Sequence, residues 1–178
     1  MSLNNPLARL ALLYLRIAIW RRGPQDVPAV GILLPLTIAA YVLLSALIGR
    51  LLPPAQPGWP LQLALDVPFM LLWYGLLLLV EGRRERFLQT ATALFGLECV
   101  LTLPSMVIES LATRFANDAA WQVPVYVAAF ALLVWTLLAV GHILRATLER
   151  GLGLCLILAF VQMSAEEMLL IAISHVGA

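Results

Sequence analysis

Residues 121–143, WQVPVYVAAFALLVWTLLAVGHI, contain no Asp, Glu, Lys or Arg. At 1.5 Å of rise per residue, a helix of this length crosses a hydrocarbon layer about 30 Å thick. Four other stretches are similarly long and predominantly apolar, with at most two acidic residues each: 27–48, 61–80, 87–111 and 152–174. The whole chain is 62% hydrophobic and 12% charged, with a mean hydropathy of +0.96. Soluble domains hold about 25% charged residues, and water could not solvate this much exposed Leu, Ala and Val. The expected fold is all-α, a polytopic transmembrane bundle of five spans forming one domain over 27–178.

Residues 1–26 read differently. Arg9 and Arg16 share one helical face, with Leu7, Leu10, Ala11, Tyr14 and Leu15 opposite. This is the pattern of an interfacial amphipathic helix whose arginines reach the headgroups. A sixth span over these residues is the alternative. It would sink two arginines at about 2.5–3.5 kcal/mol each near the bilayer centre. The basic RRGPQD that follows is no signal-peptidase site, so no cleavable leader is expected.

Arginine gives the orientation, since cytoplasmic loops gather basic residues. Five spans place Arg9, Arg16, Arg21, Arg22, Arg83, Arg84, Arg86, Arg145 and Arg150 on one side, and only Arg50 and Arg114 on the other. The expectation is a multi-pass protein of a bacterial inner membrane, N-terminus cytoplasmic and C-terminus periplasmic. A net charge of +1 gives no reason to expect nucleic acid.

Polar groups at membrane depth are the functional candidates, because hydrocarbon supplies no partners. Glu98 lies about 16 Å into its span, and Glu166 and Glu167 about 21 Å into theirs, with Gln162 close by. Each is expected to be neutral or specifically partnered, as packing glue, as part of a proton or cation path, or at a contact with another protein. Adjacent Glu166 and Glu167 point about 100° apart, so only one is expected to face the interior. Asp66 and Glu109 fall nearer the outer leaflet, where Asp66 or Glu109 is expected to pair with Arg50 or Arg114, and Glu109 could equally sit at the interface without a partner.

His142 and His175 are expected at opposite membrane faces, so no single haem or metal could use both. Cys99 and Cys155 sit in apolar runs as small hydrophobes. Neither HExxH, CxxC, GxSxG nor a Gly-rich phosphate loop occurs, so no catalytic residue, cofactor or metal is expected.

The charged turn entering RFLQTATALFG at 86–96, and WTLLAVGHILR at 135–145, resemble bacterial members of the Yip family and, more narrowly, small proteobacterial inner-membrane proteins. The resemblance implies a five-helix membrane domain, no established reaction and protein partners. Three function classes follow. The first is a non-enzymatic scaffold or accessory subunit, whose helix faces contact itself or other membrane proteins. The second is a small transporter or proton- or cation-coupled component using the intramembrane glutamates. The third is a lipid-modifying enzyme, which would need a wet cleft to reach its carboxylates.

Overall fold

The computed structural model describes residues 6–51 and 59–176, and the side chains of 6–50 and 59–172. Among these residues it is all-helical, with no strand. The helices are α1 (Pro6–Ala18), α2 (Leu33–Leu51), α3 (Trp59–Val80), α4 (Phe87–Arg114), α5 (Ala119–Leu148) and α6 (Leu152–Val176). The last five are long and apolar enough to cross a membrane. Most of the Pro-rich turn expected at 53–60, and the His175 side chain, lie outside the described residues.

The first span begins later than its hydropathy suggests. Pro28 and Gly31 hold 27–32 out of the helix, where Val30 N donates to the Pro28 carbonyl at 2.8 Å and Leu33 N to Val30 at 2.9 Å. Proline fixes φ and disfavours helix in the residue before it, so the chain turns here before winding up. The other four spans begin within two residues of their expected starts and are two to seven residues longer.

The helix at the centre of the bundle is α4. Every residue from Thr90 to Leu97 is buried, on all sides of the helix. This is TATALFGL, rich in small side chains that let neighbouring backbones approach. Tyr14 of α1 covers Gly96, and Thr90 Oγ1 meets Thr147 Oγ1 of α5 at 3.0 Å. Hence this stretch of α4 is, physically, a packing surface.

The amphipathic N-terminal helix forms, but its buried stripe is Tyr14, Ile17 and Ala18, with Leu10 and Leu13 partly covered. Of the expected apolar face, Tyr14 is buried and Leu10 half-buried against the bundle, while Leu7, Ala11 and Leu15 stay exposed. The stripe packs on the bundle rather than lying loose beside it. Trp135 Nε1 donates to the Ala18 carbonyl at 2.7 Å, and Tyr14 Oη meets Thr37 Oγ1 at 3.0 Å.

The arginine-rich segments meet at one end of the bundle. Glu149, after α5, takes Arg83 at 2.7 Å and Arg86 at 2.6 Å, while Arg150 reaches Glu81 at 3.1 Å. Gln89 Nε2 donates to the Val27 carbonyl at 3.0 Å, and His142 Nε2 lies 3.0 Å from the Arg22 carbonyl. His142 is thus tied to the loop after α1 as a structural contact.

Candidate functional site

Five helices place polar groups around one cavity of about 570 Å³. Asp66 comes from α3, Glu98 from α4, Glu166 from α6, Tyr41 from α2 and Thr136 from α5. All five residues also line an adjoining recess of about 200 Å³. The larger space extends past Thr102 and Ser105 to Glu109 and Thr113, near the end of α4, and to Trp59 at the start of α3. Its mouth is therefore at the arginine-poor end of the bundle. Gly49 makes room there for Trp59, since a Cβ at that position would fall 2.9 Å from the indole.

A hydrogen-bonded chain holds the floor. Tyr41 Oη donates to Asp66 Oδ2 at 2.5 Å. Gln162 Nε2 donates to Glu166 Oε2 at 2.6 Å, and Tyr74 Oη donates to Gln162 Oε1 at 3.1 Å. Gln162 and Glu166 are one helical turn apart, a spacing that brings side chains together on one face. Asp66, only 6% exposed, receives no N–H or hydroxyl at its other oxygen, Oδ1, and its carboxyl is in hydrogen-bonding contact with that of Glu166. Going from Tyr74 toward the arginine-rich end, Leu78, Leu94, Ile143 and Leu144 fill the interior, each fully buried. The cavity is thus open at one end and closed by packed hydrocarbon at the other.

Of the expected intramembrane candidates, Glu98, Gln162 and Glu166 come together. Glu166 and Glu167 both border the recess, Glu166 half-buried and Glu167 exposed, so the adjacent glutamates differ in exposure but share one space. The expected outer-leaflet ion pairs do not form. Asp66 turns toward Tyr41 and the cavity, and Glu109 lines its mouth. Arg50 and Arg114 are exposed, and neither belongs to any of the four salt bridges among the described residues; Arg114 stacks 5.7 Å over the Phe115 ring. Depth along the sequence put these groups in one leaflet, but their direction around each helix separated them.

Tyr41, Tyr74 and Thr136 were not singled out by the sequence. The available signal was a phenol far from a helix end, since a buried tyrosine hydroxyl calls for a partner. Cys99 and Cys155 are free thiols, on different helices and outside the cavity lining. The lining holds four carboxylates, Asp66, Glu98, Glu109 and Glu166, and no Arg, Lys or His. Chemically it is an acceptor-rich chamber without a resident counter-charge. No family model, curated protein or solved structure matches the chain.

Proposed function

We propose that this chain is a bacterial inner-membrane protein that admits a proton or small cation into its central cavity, as a small transporter or cation-coupled membrane component. The observation that carries this reading is the convergence of Asp66, Glu98 and Glu166, from three helices, on one open-ended cavity without a basic residue. Carboxylates gathered in a low-dielectric setting repel one another and gain from any positive charge that joins them. Packing glue alone would need no cavity beside it. The nine-to-two division of arginines supports an arginine-rich end in the cytoplasm, so the mouth opens to the periplasm.

The test is flux in proteoliposomes carrying an entrapped pH- or cation-sensitive dye under an imposed gradient. Wild-type protein dissipates the gradient. The D66N/E98Q/E166Q triple variant, checked for intact folding by gel filtration, abolishes this. Equal flux through both, or none through either, sinks the reading.

A scaffold role draws on a different residue. Glu167 is exposed at the edge of the recess, beside Met168 at 71% exposure. A lone carboxylate against lipid costs on the order of 2.5–3.5 kcal/mol on insertion scales, and contact with another membrane helix would relieve it. Crosslinking from a cysteine at Met168 in native membranes tests this. A ladder containing the protein alone as monomer removes the support.

A further inference from the structure

All but one of the cavity's hydroxyl groups, Ser45 being the exception, have already given away their hydrogens. Thr102 donates to the Glu98 carbonyl at 2.6 Å, Ser105 to the Leu101 and Thr102 carbonyls at 3.0 Å, and Thr136 to the Leu132 carbonyl at 2.9 Å. Thr113 at the mouth donates to the Glu109 and Ser110 carbonyls at 3.1 Å. A hydroxyl has one hydrogen and two lone pairs, so each of these turns acceptors into the space. Tyr41 has likewise committed its hydrogen to Asp66. A wall dominated by carboxylates and committed hydroxyls, with Ser45 and the Gln62 amide as its other polar groups, fits a ligand that is positive and rich in N–H donors.

Asp66 points the same way. It is only 6% exposed, lines both spaces, and its carboxyl meets the Glu166 carboxyl as well as the Tyr41 hydroxyl. Two carboxyls in contact with no basic residue beside them favour a cation that can donate to both.

The acceptors are also strung out rather than focused. Glu98 and Glu109 are eleven residues apart on α4. Three turns bring them back to one face, separated by about 16 Å along the axis. Thr102 and Ser105 lie between them. A compact ion would meet one end of this array only, and no three His, Cys, Asp or Glu among the described residues are grouped to hold a metal.

Building on the cation-site reading above, we propose that the cavity binds a linear polyammonium molecule, a diamine or polyamine. One ammonium sits at the Asp66–Glu98–Glu166 floor and another at Glu109 in the mouth. The floor ammonium donates to the Asp66 and Glu166 carboxyls. The methylene chain lies along Leu63, Leu101 and Leu132, and the Trp59 indole faces the mouth, where a cation near its ring is favoured.

Equilibrium binding to the full chain in detergent, at fixed ionic strength, tests this with spermine, butylamine, sodium and calcium as probes. Spermine binds more tightly than butylamine by about tenfold or more, the return on a second ammonium site. Glu109→Gln removes that advantage and leaves butylamine unchanged. Asp66→Asn weakens both amines. Glu85→Gln, an exposed acid at the opposite end, changes nothing. Equal affinity for spermine and butylamine, or a Glu85→Gln effect as large as that of Glu109→Gln, overturns the polyammonium assignment. Binding of sodium or calcium without either amine also overturns it, but leaves the cation-site reading standing. If no probe binds and the proteoliposomes show no flux, both fall.

Discussion

The Tyr14 ring occupies the space into which any side chain at residue 96 would project. A Cβ there would fall 2.3 Å from both Cδ1 and Cε1 of the ring. Tyr14 is 6% exposed and its hydroxyl is tied to Thr37, so it has little room to yield. Gly96→Ala is expected to destabilise the fold by about 1–3 kcal/mol through overpacking, read as a lower melting temperature in detergent. Gly31→Ala, where nothing lies within 4 Å, is the control and should leave melting unchanged.

Tyr74, Gln162 and Glu166 form the inner chain of the site. Tyr74→Phe keeps the ring and deletes the donor that Gln162 Oε1 accepts. Interhelical hydrogen bonds between membrane helices are worth about 0.6 kcal/mol on average and at most about 1.7, so the variant should lose stability within that range. Gln162→Leu removes partners from both Tyr74 and Glu166 and should cost more. If Tyr74→Phe costs as much as Gln162→Leu, the chain is not the unit described here.

Glu149 joins the arginine-rich end together from an unusual backbone position. It follows α5 with φ of 56°, the left-handed region that usually belongs to glycine. Hydrogen bonds from Arg83 and Arg86, with their charges, hold its carboxyl below the ordinary value of 4.5. A lowered carboxyl contributes stability that is fully present above about 4.5, the unfolded value, and is lost as pH falls through the lower folded one. Acidification below pH about 4.5 should therefore loosen the Arg83–Glu149–Arg86 contact, and salt should weaken it, since the groups are solvent-exposed. The melting temperature of Glu149→Gln should change less over this acid range than that of wild type. Matching acid profiles would mean that the contact does not couple to folding.

The spans were legible because each oily run is longer than any soluble helix needs, and because arginine marks the turns. The late start of α2 was legible in principle, from Pro28 and Gly31, but hydropathy counts neither as a stop. Glu98, Gln162 and Glu166 stood out because a polar atom in hydrocarbon has few excuses. Asp66 was misread for a geometric reason. Sequence gives a residue's height along its helix, whereas cavity membership depends on rotation about the axis and on which helices stand next to each other. Likewise, the two exposed arginines near the depth of Asp66 looked like partners until the bundle turned them outward. The packing of α1 through Tyr14, Ile17 and Ala18 was not legible, because amphipathicity marks an apolar face without saying whether lipid or protein covers it.

Water access decides whether the cavity can serve any dissolved ligand, and its lining allows a direct test. Ser105 lies on α4 between Glu98 and Glu109, about 10 Å deeper-to-mouth along the axis from Glu98 by helical rise. In a C99S/C155S background, Ser105→Cys should react with a membrane-impermeant maleimide added from the periplasmic side of intact cells, whereas Ala159→Cys should not, because residue 159 is fully buried. A bound polycation, or occupancy by any ligand that spans floor to mouth, should slow the Ser105→Cys reaction. Labelling at neither position would mean that the space is dry or filled by lipid. Labelling at Ser105→Cys only after inverting the membrane would reverse the assigned orientation. Reaction from the periplasmic side alone is expected, because the arginine-rich end is closed by packed side chains and the acidic end is not.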